Sequence, residues 1–147
     1  MLIDWNESLV LGDARIDQEH EDLATLINRF FSVLKSGASR DVVCEVAFTL
    51  GERVTQHFNN EVDLMEAAGY PGKAAHQREH KILIGELGDF LHRVGEEEDS
   101  ELLKVANFIE RWFIGHVTTA DAQFVKFLKE DTPCETVSDE VPLAEMW

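Results

Sequence analysis

Histidines and a carboxylate are paired in this sequence at the spacing of one helical turn. His57 is followed four residues later by Glu61, and His76 is followed four residues later by His80. Because residues i and i+4 project from the same face of an α-helix, each pair can hold one centre from one side. Imidazole and carboxylate suit iron, zinc, copper or manganese, whereas the two widely separated cysteines argue against a thiolate site. The spacing therefore indicates a metal site.

These pairs belong to a larger set of polar side chains that occupy apolar helical stripes. A lone histidine on such a face is more often a hydrogen-bonded core residue than a ligand. Here five of the six histidines and two carboxylates take core-facing positions on four helices, which one shared buried centre explains together. Seven ligands are too many for one tetrahedral ion and suit two metals bridged by the carboxylates. The candidate ligands are His20, His57, Glu61, His76, His80, His116 and Asp121.

The fourth helix contains an irregular spacing, because His116 and Asp121 are five residues apart. At about 100° per residue, they lie about 140° out of alignment in a regular α-helix. Both can point inward if the helix accommodates one extra residue as a π-bulge, a feature frequent at functional sites. The apolar stripe resumes as Asp121, Phe124 and Leu128, which favours the bulge. The unbulged register would instead bury Phe127.

Short polar links divide the chain into four amphipathic stretches. The expected boundaries are Asp17 to Ser36 for the first, Ser39 or Asp41 to Gly69 for the second, a third that ends at Gly95, and a fourth capped by Asp99 or Ser100. Connections this short favour antiparallel neighbours. The sequence therefore predicts an all-α, up-down-up-down antiparallel four-helix bundle over residues 1–130. Residues 1 to about 16 form an N-terminal arm, and residues 131–147 form an acidic C-terminal tail.

Composition limits the partners and the location of the protein. The net charge of −16 repels phosphate backbones, so nucleic acid is not an expected partner. No apolar run reaches the ~18 residues that a membrane span needs. The first residues, MLIDWNESLVLGD, lack the basic and apolar regions of a signal peptide, and we expect a cytoplasmic location. The tail, which ends in Trp147, is either frayed or a segment for docking or self-association.

The ordered ligand set resembles that of the hemerythrin family. The local pattern HF..E..LM...GYP....H..EH is similar to the single-domain bacterial members, and the resemblance covers about residues 3–130. It implies a four-helix bundle with a non-haem di-iron centre, bridged by an oxo or hydroxo group, that binds O₂ reversibly and is not an enzyme.

Carried over by position, the resemblance implies a role for each ligand. One iron would be held by His76, His80 and His116, and the other by His20 and His57, with Glu61 and Asp121 as bridges. The iron with two histidines is then one ligand short, and O₂ would bind at that open position. The residues at the family's pocket positions are Leu23, Phe58, Trp112 and Val117, for which ordinary core packing is an equally compatible role.

Two residues depart from the family pattern. Glu19, immediately before His20, stands where family members often have glutamine, which would change hydrogen bonding and charge near the centre. Phe124 stands where tyrosine is common, which removes a hydroxyl group. Neither change alters the expected ligand set, but both bear on O₂ affinity and on the rate of oxidation.

Several alternatives remain open at this stage. The same centre could serve a di-iron peroxidase or oxidase, or a sensor of O₂ or redox state, although the chain carries no recognisable signalling module. Ligand type alone also permits zinc or manganese. An oxygen-consuming enzyme is a candidate partner that would receive the O₂, and a monomer is the favoured oligomeric state.

Overall fold

The chain folds into four long helices and three shorter helical segments. The computed structural model describes residues 2–131, and no strand occurs among them. The helices are α1 (Ala14–Lys35), α2 (Arg40–Ala68), α3 (Lys73–Arg93), α4 (Asp99–His116) and α5 (Ala122–Asp131). A 3₁₀ turn, Glu7–Leu9, precedes α1, and a π-helical turn, Val117–Asp121, joins α4 to α5. The predicted all-α four-helix bundle is confirmed, with α4 and α5 together forming its fourth rod.

Two predictions reach beyond what this structure covers. Trp147 and the rest of the C-terminal tail after Asp131 lie outside the described residues, and the division into a bundle over 1–130 and a tail over 131–147 stays a prediction.

Across residues 2–131, no helix combines the length and the apolar character that crossing a membrane requires.

Side-chain caps fix where the first two helices begin, and a glycine ends the second. The Asp13 side chain accepts hydrogen bonds from the amides of Arg15 and Ile16, so α1 begins at Ala14, earlier than the predicted start near Asp17. The hydroxyl of Ser39 caps α2 as predicted. Gly69, with φ of 66°, ends that helix in the left-handed conformation that glycine adopts without a steric penalty.

The predicted ends of the last two helices were off by one or two residues. The third helix ends at Arg93, two residues before Gly95. Glu98, not Asp99 or Ser100, is the N-cap residue of α4, and no side chain caps it. The carboxylate of Asp99 instead accepts a hydrogen bond from the guanidinium of Arg40 at 3.1 Å, which ties the start of α4 to the start of α2.

Two apolar clusters fill the bundle, with polar residues between them. The smaller cluster contains Ile16, Met65, Phe124, Val125 and Leu128, and the larger one occupies the rest of the core. In α1, for example, Ile16 belongs to the smaller cluster, Leu23 to the larger one, and the buried His20 lies between them. The polar layer therefore lies inside the bundle and is covered by apolar packing on both sides.

The N-terminal arm packs across the helices. Ile3 is buried, and its backbone exchanges two hydrogen bonds with the side chain of Asn28, at 2.7 and 2.8 Å. At the other end of the arm, the carboxylate of Asp17 accepts from the amide of Leu11, whose carbonyl accepts from Lys129 Nζ. These contacts attach the arm to α1 and to α5.

The π-helical turn was predicted from the five-residue spacing, and it is present. The amide of Ala122 donates to the carbonyl of Val117, five residues back. The hydroxyls of Thr118 and Thr119 donate to the carbonyls of Ile114 and Gly115, at 2.7 and 2.6 Å. The residues that face inward after the turn are those of the bulged register, namely Asp121, Phe124 and Leu128.

Because a π-bulge is an α-helix with one residue inserted, deleting Thr119 should restore a regular helix and keep His116 and Asp121 on the same face. We expect this variant to fold with nearly unchanged helix content and to keep its metal. Deleting Arg111 from the regular part of α4 is the matched control. It rotates the residues before the deletion by about 100° relative to the residues after it. Circular dichroism and metal analysis distinguish the two. If both deletions were equally disruptive, the extra residue would not be the reason that Asp121 faces inward.

Candidate metal centre

All seven predicted ligand side chains meet in the interior, and none is more than 5% exposed. Each helix contributes through its apolar stripe, and the one-turn pairs are His57 with Glu61 on α2 and His76 with His80 on α3. The donor atoms form two groups, within each of which they lie no more than 4.8 Å apart. The larger group is Glu61, His76, His80, His116 and Asp121, and the smaller is His20, His57, Glu61 and Asp121.

Glu61 belongs to both groups because its two oxygens face different histidines. Its Oε1 lies 3.2 Å from His76 Nε2 and 3.3 Å from His80 Nε2. Its Oε2 lies 3.2 Å from Nε2 of His57 and 3.7 Å from that of His20. A carboxylate in this position can donate one oxygen to each of two neighbouring cations.

Asp121 is divided in the same way. Its Oδ1 lies 2.9 Å from Nε2 of His76 and 3.1 Å from that of His116. Its Oδ2 lies 2.9 Å from Nε2 of His20. Without the π-helical turn this carboxylate would point away from the centre. The two carboxylates therefore connect a group of three histidines to a group of two.

The three histidines of the larger group converge through the same ring atom. The Nε2 of His116 lies 3.1 Å from that of His80 and 3.1 Å from that of His76. With metal–nitrogen bonds of about 2.1 Å, nitrogens at right angles on one ion are about 3.0 Å apart, and tetrahedral ones about 3.4 Å. The observed separations are therefore short enough for these nitrogens to bind one metal ion together.

Several of these buried donor atoms have no hydrogen-bond partner. They include His20 Nε2, Glu61 Oε2 and Asp121 Oδ1. Each has an oppositely polar neighbour close by, as His20 Nε2 has Asp121 Oδ2 at 2.9 Å, but without the orientation of a hydrogen bond. Leaving such groups unsatisfied costs about 1–3 kcal/mol each. Cations bound among them would use these lone pairs, so the residues present fit a two-metal centre.

Two carboxylates outside the centre hold two of the histidine rings. His57 Nδ1 donates to Glu19 Oε1 at 2.6 Å, and Asn60 donates to the other Glu19 oxygen at 2.9 Å. His116 Nδ1 donates to Glu79 Oε1 at 2.8 Å. Such bonds orient the ring and direct the Nε2 lone pair at a metal. Glu19 was expected to affect this hydrogen bonding, whereas Glu79 was missed because its half-exposed position carries no periodic signal.

The carboxylates set the protonation of the metal-free centre. Burial by itself lowers the pKa of His57 and of His76, but hydrogen bonds to carboxylates outweigh it. These raise the pKa of His57 to about 10, through Glu19 and Glu61, and that of His76 to about 9, through Asp121 and Glu61. Burial prevails at His80, whose pKa is lowered. Because a metal and a proton compete for Nε2, a cation that bound here would release protons at neutral pH.

An apolar cavity of about 20 Å³ adjoins the centre. It is lined by all four predicted pocket residues, Leu23, Phe58, Trp112 and Val117. The ligand side chains that reach it are His20 and His57 of the smaller group, His116 of the larger group and the shared Asp121. Phe58 stacks on His80 with ring centroids 3.7 Å apart, and Trp112 stacks on His116 at 4.4 Å. The pocket side chains therefore also fix two imidazole rings of the larger group.

Some residues around this cavity were not among the predicted ones. Five further apolar side chains line it, namely Ile27, Val54, Leu83, Ile109 and Phe113. Most of them stand one turn from a ligand on its own helix, as Leu83 does after His80, and this spacing was the signal that could have found them. Phe124, the second departure from the family pattern, is fully buried, and its ring centroid lies 4.9 Å from that of Tyr70.

Comparison with known proteins gives the family of this chain. No protein-family model matches the sequence. A bacteriohemerythrin of Stenotrophomonas maltophilia is 31% identical over 130 residues, which cover 87% of this chain and 82% of the relative. The chain belongs to the bacteriohemerythrin family. Bacteriohemerythrins of Pseudomonas aeruginosa (29% identity; 82% and 78% covered) and Clostridium acetobutylicum (24% identity; 82% and 97% covered) are also similar.

A solved structure agrees at the level of the fold. The crystal structure of a wild-type hemerythrin matches with a TM-score of 0.79 at 22% identity, and the match covers 87% of this chain and 98% of that one. The four-helix bundle is therefore the one of the hemerythrins. The relatives bear the name of hemerythrins, which agrees with the prediction that the chain is not an enzyme.

Replacing His76 by alanine should remove iron, because it takes away one donor and leaves buried carboxylate oxygens without a partner. We expect fewer than two irons per chain, and a drop in ferrous affinity greater than the 10- to 100-fold typical of losing a residue that merely orients a ligand. His92→Ala is the matched control, since His92 is exposed and outside both donor groups. Elemental analysis after anaerobic iron loading provides the measurement. Two irons per chain in His76→Ala would contradict the ligand assignment.

Proposed function

We propose that this bacteriohemerythrin binds O₂ reversibly at a di-iron centre held by the seven side chains. The observation that carries the proposal is the division of each carboxylate between the two groups of histidines. Glu61 and Asp121 each direct one oxygen toward the group of three and the other toward the group of two. Such sharing suits two cations held side by side, and the absence of a cysteine among the donors suits iron better than a thiolate-preferring metal.

The unequal number of histidines supports a single O₂ position. The larger group has His76, His80 and His116, whereas the smaller has only His20 and His57 beside the shared carboxylates. The iron with fewer protein ligands would keep an open position. The apolar cavity is lined by both histidines of the smaller group but by only one of the larger group, His116, so a small molecule in it would lie next to that position. When bound, the di-iron pair supplies this open position and the electrons that O₂ requires.

The residues around the cavity suit binding rather than turnover. A volume of about 20 Å³ has room for about one water-sized molecule. Leu23, Phe58 and Val117 are buried apolar side chains that exclude water from it. Among the residues that line the cavity, the titratable ones are proposed ligands, so no separate side chain is available there to deliver protons. This arrangement favours release of O₂ over its conversion to other products.

The finer parts of the proposal concern the role of the protein in the cell. We propose a carrier, store or delivery protein for O₂ that acts as a monomer in the cytoplasm, with an oxygen-consuming enzyme as the recipient. A peroxidase or oxidase would need repeated proton delivery, which the cavity residues do not support. A sensor would need a partner contact that changes on oxygenation.

The proposal is tested by the visible absorption of the reduced, iron-loaded protein during repeated changes between air and nitrogen. We expect an iron-dependent band that appears in air and disappears under nitrogen over many cycles, with no net consumption of O₂. Continued O₂ uptake in the presence of a reductant would identify an enzyme. A direct change to a stable ferric spectrum would argue against reversible binding, and the lack of any iron-dependent band would point to another metal.

Trp112→Ala should preserve O₂ binding but speed irreversible oxidation of the iron. Removing the indole leaves a space large enough for several water molecules beside His116, and it removes the ring that stacks on that histidine. We expect an oxidation rate higher by a factor on the order of ten, measured from the decay of the oxygenated band. Phe48→Ala, at a half-exposed position outside the cavity, is the control. An unchanged rate in Trp112→Ala would remove Trp112 from the proposed pocket.

A further inference from the structure

We propose that ferrous ions enter and leave the centre through a polar cleft between α1 and α2, separate from the apolar cavity. The inference rests on the proposed di-iron centre. The donor atoms are buried in the bundle, with His20 and Glu61 fully shielded, so a cation needs a path from solvent. The cleft provides one because its inner wall includes His57, a proposed ligand.

The cleft is both polar and large. Its volume is about 190 Å³, which holds several water molecules, and it opens to solvent. The polar residues that line it are Glu19, Asp22, Arg53, Gln56, His57 and Asn60. A divalent ion can therefore approach His57 with much of its hydration shell in place, and can exchange water for protein ligands one at a time.

The apolar cavity is not a comparable path for an ion. It has about one tenth of the volume of the cleft and is lined mainly by hydrocarbon and aromatic side chains. A divalent ion that entered there would have to lose its water before meeting any protein ligand, which is very costly in an apolar environment. An uncharged diatomic molecule has no such cost. The two openings thus suit different species, the cleft a hydrated cation and the cavity O₂.

Charge in the cleft should govern how fast the ion passes. Glu19 and Asp22 contribute two negative charges and Arg53 one positive charge. In the iron-loaded protein, where His57 would be a neutral ligand, the lining therefore carries a net charge of −1. Gln56 is uncharged, so its replacement by lysine or by glutamate introduces a charge of either sign at one position. Glu19 is unsuitable for a test because it also holds the His57 ring. The side chains of Asp22, Arg53 and Gln56 form no hydrogen bond or ion pair with a proposed ligand, so substitutions there should change the path and leave the ligand set intact.

The test measures iron release from the reduced, iron-loaded full-length protein into 2,2′-bipyridyl under nitrogen. This chelator is uncharged, so charge changes on the protein do not alter its own approach. A negative charge in the cleft stabilises the ion in transit and should speed passage in both directions. We expect Asp22→Asn and Gln56→Lys to slow release, and Arg53→Gln and Gln56→Glu to speed it. Each change should be about three- to tenfold at low ionic strength and should shrink in about 1 M salt.

Glu21→Gln and Arg29→Gln are the matched controls, since both residues are exposed on α1 and neither lines the cleft. They should release iron at the rate of the wild type, and every variant should hold two irons per chain at equilibrium. Equal rates in all cleft variants, or equal shifts in variants and controls, would overturn the proposed path while leaving the di-iron centre intact. A wild-type protein that takes up no iron would overturn the proposed function and, with it, this path.

Discussion

Two carboxylates are buried in the middle of the helical bundle, and the side chains around them are arranged to accommodate that burial. Glu61 and Asp121 are 0% and 1% exposed, and two isolated charges at such depth would be strongly destabilising. Five imidazoles surround them, and some of the donor atoms still lack hydrogen-bond partners. Bound divalent cations would supply the missing partners. With cations bound, the polar layer would stabilise the fold, and metal binding and folding would be linked.

That layer also dictates the local irregularity of the fourth rod. His116 must present Nε2 to one group of donors, and Asp121 must present one oxygen to each group. A regular α-helix cannot do both over five residues. The π-helical turn provides the extra residue, and the hydroxyls of Thr118 and Thr119 bond to nearby carbonyls. The irregular backbone follows from the ligand geometry, while the buried Phe124 continues the apolar packing beyond it.

The sequence was most informative where a residue's position follows from helical periodicity. The stripe on each helix placed the seven polar side chains inward, and the five-residue spacing predicted the π-helical turn. Periodicity could not place helix ends, because these depend on which side chain reaches a free amide, as Asp13 does for α1. Nor could it find Glu79, whose bond to His116 depends on the distance between two helices. The same holds for the cleft, which exists only where α1 and α2 face each other.

His57 links the polar and apolar sides of the centre. Its Nδ1 donates to Glu19 in the cleft, its Nε2 faces Glu61 in the interior, and the ring also lines the apolar cavity. Leu23 is the other residue that lines both spaces. These two side chains form the wall between water and the dry pocket. The proposed reversible O₂ binding requires that these side chains keep water out of the cavity. The proposed iron exchange requires that they move aside. A wall made of one ligand and one apolar side chain can serve both needs, because a bound metal would add a bond at Nε2 to the one that Nδ1 makes with Glu19.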